Sequence, residues 1–255
     1  VKLFDPVPPR TIPPNVLTAI AFGFGCSSAA LSLSGGDTTT AAWFILLSAL
    51  FDKLDGSVAR LLHSQSEFGV QFDSFADCIA FGIAPAALVF RLASQAGSPW
   101  PVAAVAAISL VYAVFTAVRL ARFNVTTSSI GPNLFLGLPS TLSGALVAST
   151  CLTGAELKLA PERMAQALPI MLLVNAALMV CNLPLPKIKF STGNIAVRAF
   201  KVLSAVAIYL AVGLRMGFPV VLALLVGYVL VGFGWTGPRQ LAADQGPATD
   251  PAEVA

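Results

Sequence analysis

Apolar runs about the length of a bilayer recur along this chain, and they decide what it can fold into. A helix needs roughly 20 apolar residues to cross the hydrocarbon layer. Span one is expected over residues 14–33, with Pro14 at the helix start, where a missing N–H costs nothing. Span two follows at 41–62, after the polar turn from Ser34 to Thr40, and span three at 67–92. Spans four, five and six are expected at 100–123, 138–152 and 165–183, the last stopping at Pro184-Leu185-Pro186. Two C-terminal spans, 202–214 and 218–235, complete the count. The expected fold is therefore all-α: a polytopic transmembrane helical bundle of about eight spans, six in a core and two beyond it. Composition agrees, since 11% charged residues is far below the roughly 25% of an ordinary soluble domain.

One integral membrane domain is expected over residues 1–236, without internal repeat. The Ala/Asp/Pro/Gly-rich tail at 237–255 is expected to be disordered. The N-terminal stretch lacks an apolar core of its own, so no cleavable signal peptide is expected. Cys26, Cys78, Cys151 and Cys181 are isolated in apolar segments, which reads as inert thiols rather than a zinc site. His63 is the sole histidine and falls in a short loop, either solvated or touching substrate.

Orientation follows Lys and Arg. With an even number of spans and the N-terminus inside, the inner side holds eleven of the fifteen, including Lys53, Arg60, Arg119, Arg122, Lys187, Lys189, Arg198 and Lys201. Arg91, Lys158, Arg163 and Arg215 remain outside. Lys187 and Lys189 read as headgroup anchors. The net charge of +3 is small, and no nucleic-acid partner is expected.

The segment from Phe51 to Pro85 breaks the apolar pattern with Asp52, Asp55, Asp73 and Asp77. A carboxylate in or near hydrocarbon costs several kcal/mol unless paired, hydrated or bound to a cation. Asp52 and Asp55 are three residues apart and Asp73 and Asp77 four, so each pair shares one helix face. Spans two and three form a hairpin, which puts all four carboxylates at one end. Lys53 and Arg60 cannot neutralise four acids, so helix capping or ion pairing does not explain the set. Hard oxygen donors select Mg²⁺, Mn²⁺ or Ca²⁺, and Mg²⁺ typically completes its shell with substrate phosphates. Gly56 and Gly69 leave room for a ligand or backbone to come close, and Arg60 can pair with a carboxylate or phosphate oxygen.

These residues carry a resemblance. Asp52-x-x-Asp55-Gly56-x-x-Ala59-Arg60, eight residues, then Gly69-x-x-x-Asp73-x-x-x-Asp77 is similar to the signature of the CDP-alcohol phosphatidyltransferases at every fixed position. The resemblance implies transfer of a phosphatidyl-type group from a CDP-linked lipid to an alcohol, with release of CMP. It implies Asp52, Asp55 and Asp73 as metal ligands, and Asp77 as general base and a ligand of a second metal. The cofactor would be Mg²⁺ or Mn²⁺, two per site. Gly56, Ala59, Arg60 and Gly69 would shape the pocket for the CDP moiety. Pro14-Asn15-x-x-Thr18 is similar to the family's entry to its first span, so Asn15 either contacts the nucleotide or caps the helix. A homodimer is implied by the family alone.

FDKLDGSVAR at the motif, RLARFNV at 119–125 and GLPST at 137–141 resemble the phosphatidylserine synthase branch. That branch implies CDP-diacylglycerol as donor and serine as acceptor. Ser57 stands where an Arg is common in the branch and Thr141 where a Pro is common. Both leave the metal chemistry alone and keep other acceptors open: glycerol 3-phosphate, inositol or its phosphate, or choline. Arg119 and Arg122 are three apart on one helix; they would grip the serine carboxylate, bind lipid phosphates, or serve as positive-inside anchors. The expected location is a multi-pass membrane protein, in the cell inner membrane if the source is bacterial, with the active site at the cytoplasmic face. A cation transporter lined by carboxylates is the alternative of a different class. It would carry polar residues along its whole path, whereas these gather at one end.

Overall fold

The computed structural model describes residues 11–64, 66–95, 98–126, 134–186, 206, 208 and 210–236. Helix α1 (Ile12–Leu33) runs to a tight turn, and α2 (Thr38–Leu61) returns alongside it. Asp37 starts α2 by accepting the amides of Thr39 and Thr40 at 3.2 and 2.8 Å. After the His63 loop, α3 (Glu67–Asp77), a π-helical stretch (Cys78–Ile83) and α4 (Ala84–Ala93) form one continuous rod. Ser66 starts it by accepting the Gly69 amide at 3.0 Å. Helices α5 (Val102–Thr126), α6 (Ser140–Glu156), α7 (Pro161–Val180) and α8 (Phe218–Val231, followed by a π stretch, Gly232–Thr236) complete the described bundle.

The bundle alternates up and down, as expected. Helices α1, the α3–α4 rod, α5 and α7 are long and apolar enough to cross a membrane. Helix α2 is 24 residues long but carries the acidic stretch in its last turns, and α6 and α8 are shorter, at 17 and 14 residues. The expected seventh span falls largely outside the described residues. So do the tail at 237–255 and Lys2, Arg10, Lys187, Lys189, Arg198, Lys201 and Arg239.

The α3–α4 rod is central: α1, α5, α6 and α7 all pack on it. Lipid tails are as apolar as side chains, so close packing and interhelical hydrogen bonds drive such association. Small residues at the π stretch allow it. A Cβ at Gly25 of α1 would fall 2.8 Å from the Ala80 Cα, and one at Gly144 of α6 would fall 2.8 Å from the Phe81 ring. Buried hydroxyls join the helices. Ser28 and Ser48 donate to the Ala41 and Ala21 carbonyls at 2.7 and 2.8 Å, tying α1 to α2. The fully buried Tyr112 donates to the Phe81 carbonyl at 2.9 Å, tying α5 to the rod.

Two details depart from the sequence expectation. Glu156, expected in a loop, ends α6, and its carboxylate accepts the Gly217 and Phe218 amides at 3.2 and 3.0 Å, capping α8. The segment before α6, where the sequence predicts only a link between spans four and five, contains strand β1 (Leu134–Leu136). It pairs antiparallel with β2 (Pro184–Pro186), at the point where span six was expected merely to stop. A three-residue strand has no periodicity to read, and two prolines in its partner disguise it further.

Candidate active site

Helices α2 and α3 both pack on α1, and the last turns of α2 and the later part of α3 bring their acids together. One carboxylate oxygen each from Asp52, Asp55 and Asp73 lie within 4.8 Å of one another. Asp55 is buried and the other two are half-buried. Asp77, also buried, lies one turn beyond Asp73 on the same helix. Two carboxylates about 4 Å apart near a protein surface repel by on the order of 4 kcal/mol. Three converging oxygens of this kind fit a hard divalent cation. They form a poor structural core without one.

Neighbouring hydroxyls hold the acids in place. Thr18 of α1 donates to Asp55 Oδ2 at 2.7 Å. Thr141 Oγ1 lies 3.4 Å from Asp52 Oδ2, and Ser140 Oγ lies 3.4 Å from Asp77 Oδ2. Arg119, buried in the last turns of α5, donates from Nη1 to Ser140 Oγ at 2.9 Å. In the sequence GLPST carries only a resemblance, and nothing in its spacing assigns Ser140 and Thr141 to the acids. Hydroxyls in the first turn of a helix are too common to single out without the fold.

Residues 11–229 match the family model described as CDP-alcohol phosphatidyltransferase. This chain belongs to that family. Among curated relatives, a Helicobacter pylori protein named CDP-diacylglycerol–serine O-phosphatidyltransferase is 32% identical over 184 residues, 72% of this chain and 76% of that one. Proteins of the same name from Saccharomyces cerevisiae and Methanocaldococcus jannaschii are 41% identical over 114 residues and 36% over 107. Those matches cover 42% of this chain each, and 39% and 48% of the relatives' own lengths.

The remaining residues of the family signature sit around the acids. Gly56, Ala59 and Arg60 occupy the last two turns of α2, with Arg60 exposed and donating to Ser57 Oγ at 3.3 Å. Gly69 lies where α3 meets α1: a Cβ there would meet Ser66 Oγ at 3.1 Å and Asn15 Oδ1 at 3.3 Å. Asn15 is thus brought to the signature. The capping alternative is corrected, since the N-cap of α1 is Thr11 and Asn15 lies inside the helix. His63 is exposed in the α2–α3 loop with φ of 50°.

Arg119 and Arg122 part company. Arg122 donates from Nη1 and Nη2 to the Val180 and Cys181 carbonyls at 2.8 and 3.3 Å, so it braces the end of α7. Arg119 reaches the acids through Ser140. Of the cysteines, Cys151 is buried and Cys26, Cys78 and Cys181 are half-buried, all as free thiols. Lys53 and Arg60 share the acidic end. Arg91 lies at the other end, beside Gly35 in the α1–α2 turn, and Arg215 stacks 3.8 Å over the Trp43 ring near the start of α2.

Proposed function

We propose that this protein transfers the phosphatidyl group of CDP-diacylglycerol to the hydroxyl of L-serine, giving phosphatidylserine and CMP. The observation that carries this reading is the convergence of Asp52, Asp55 and Asp73 within 4.8 Å, with Asp77 alongside and Arg119 behind it. Serine as the acceptor is supported by the names of the relatives and by the FDKLDGSVAR, RLARFNV and GLPST stretches.

The serine oxygen forms a bond to the lipid-side phosphorus, the bond from that phosphorus to the oxygen of CMP breaks, and the hydroxyl proton passes to Asp77. Transfer of this type is accelerated mainly by positioning and charge neutralisation. Asp52, Asp55 and Asp73 would hold a divalent cation, Mg²⁺ or Mn²⁺, with Asp77 contributing to a second, and bound cations would offset the charge on the pyrophosphate and leaving oxygen. Asp77 is a suitable base because it is buried beside the metal-ligand set yet outside the converging trio. Gly56, Ala59 and Gly69 would leave room beside the acids for the nucleotide, with Asn15, next to Gly69, and Arg60 as its polar partners. Arg119 has donors left beyond the one given to Ser140, and offers them to the acceptor carboxylate. Arg122, committed to backbone carbonyls, is left out of that role.

The basic bias supports a cytoplasmic location for this end of the bundle, in the inner membrane if the source is a bacterium. Assembly as a homodimer is part of the same proposal. The test is purified protein in mixed micelles with CDP-diacylglycerol and a panel of alcohols, with and without chelator. Serine-dependent release of CMP that chelator abolishes and Mg²⁺ or Mn²⁺ restores is expected. Release with glycerol 3-phosphate, inositol, inositol phosphate or choline, and none with serine, overturns the acceptor assignment.

A further inference from the structure

We infer that Ser140 and Thr141, the first two residues of α6, are positioning residues that fix two carboxylates belonging to different helices. Ser140 sets Asp77 of α3 and Thr141 sets Asp52 of α2, with Arg119 holding Ser140 from the far side. This rests on the reading of Asp77 as base and Asp52 as metal ligand.

Three observations carry it. First, the Ser140 side chain is fully buried, and its oxygen accepts from Arg119 Nη1 at 2.9 Å. A hydroxyl has a single hydrogen to give. With Arg119 supplying the donor on one side, that hydrogen is directed at Asp77 Oδ2, 3.4 Å away. Secondly, Ser and Thr at a helix start commonly bond to their own backbone. Here α6 has Pro139 as its N-cap and no side-chain cap, so both hydroxyls turn outward to the acids instead.

Thirdly, the chain just before α6 is anchored with unusual closeness. Gly137, at φ of 74°, packs on the end of α7. A Cβ there would fall 2.6 Å from the Met179 carbonyl oxygen, 2.8 Å from that of Leu178 and 2.9 Å from that of Cys181. The Gly137 and Leu138 amides donate to the Leu183 and Leu178 carbonyls at 2.9 and 2.8 Å. Arg122 draws the Val180 and Cys181 carbonyls into the same joint. The β1–β2 ribbon closes it. This joint leaves little freedom to the pair of hydroxyls that begins three residues after Gly137.

The two hydroxyls have separable effects. Ser140 acts first on the proton acceptor, and on the acceptor carboxylate only through Arg119, so its loss falls mainly on kcat. Thr141 acts on a metal ligand, so its loss falls on metal affinity. Outer partners of metal ligands typically cost 10–100-fold in affinity or activity when removed.

The experiment uses the full-length protein in detergent, with Ser140→Ala, Ser140→Thr and Thr141→Val, and with Ser149→Ala as a control. Ser149 is a buried serine of the same helix whose hydroxyl has no hydrogen-bond partner among the described residues. Steady-state kinetics are measured with whichever alcohol the wild type turns over, so a wrong assignment of serine does not disturb the comparison. Mn²⁺ affinity is measured separately by the loss of its free electron-spin signal. Ser140→Ala is expected to lower kcat roughly 10–100-fold with a smaller change in acceptor KM, and Ser140→Thr to recover most of it. Thr141→Val is expected to weaken Mn²⁺ binding several-fold. Wild-type kcat in Ser140→Ala, or a rise in acceptor KM as its main effect, overturns the positioning role of Ser140. Unchanged Mn²⁺ affinity in Thr141→Val overturns that of Thr141. If Ser140→Ala does not fold, Ser140→Cys, similar in size but a weaker donor, is read in its place by the same criteria.

Discussion

The Thr18 hydroxyl donates to Asp55 Oδ2 at 2.7 Å, joining the first turns of α1 to the last turns of α2 across 37 residues of chain. Both groups are buried. The bond therefore orients one metal-ligand oxygen from outside the acidic hairpin. Thr18→Val keeps the side-chain shape and removes the donor. It is expected to weaken Mn²⁺ binding about 10–100-fold, measured by titration of the free Mn²⁺ spin signal. An affinity equal to wild type would mean that Asp55 is oriented without Thr18.

Asp73 and Asp77 lie on one helix face but are assigned different work. Asp73 belongs to the converging trio and Asp77 does not. Asp77→Asn is expected to lower CMP release about 10²–10⁴-fold while retaining much of the Mn²⁺ affinity. Asp73→Asn should lose both. Parallel titrations of the two variants check this, and equal losses of metal affinity would remove the distinction between base and ligand.

Gly137 has no room for a methyl group, because three carbonyl oxygens lie within 2.9 Å of where it would be and the backbone is left-handed. Gly137→Ala should therefore lower the thermal unfolding midpoint strongly and take activity with it. Gly23→Ala and Gly227→Ala, with nothing within 4 Å of a new Cβ, should unfold like the wild type. A Gly137→Ala protein as stable as those two would show that the joint on α7 can yield.

Asp37 lies in the turn between α1 and α2, outside the membrane-spanning segments. The Thr40 hydroxyl, with the Thr39 and Thr40 amides, holds its carboxyl below the usual range against the opposing effect of partial burial. A carboxylate lowered on folding stabilises above its unfolded value, and that contribution fades as pH falls through the folded value. Stability should thus drop in acid below about pH 4. Asp37→Ala should cost about 1 kcal/mol at neutral pH, and Asp37→Asn should keep the cap and lose its pH dependence. Unfolding midpoints of the three proteins from pH 3 to 7 check this.

The long apolar helices were legible because bilayer thickness imposes a length and a composition that can be read along one dimension. The acidic signature was legible too, since Asp52, Asp55, Asp73 and Asp77 sit at helical spacings on two consecutive helices. Arg122 shows the limit. By spacing it is the twin of Arg119, yet its partners are carbonyls of Val180 and Cys181, about sixty residues away. Asn15 shows the same limit in reverse: its place near a helix start also fits a cap, and it becomes a neighbour of Gly69 only when α1 is laid against α3.

The amino-acid sequence alone determined the all-helical bundle and the grouping of the acids at one end, because hydrophobic length and helical period are local properties. Only the tertiary structure decided which hydroxyl meets which carboxylate, that Arg119 faces the site while Arg122 braces a helix end, and that a short ribbon sets the start of α6. Those contacts join elements far apart in the chain, and their geometry depends on how closely the helices can approach.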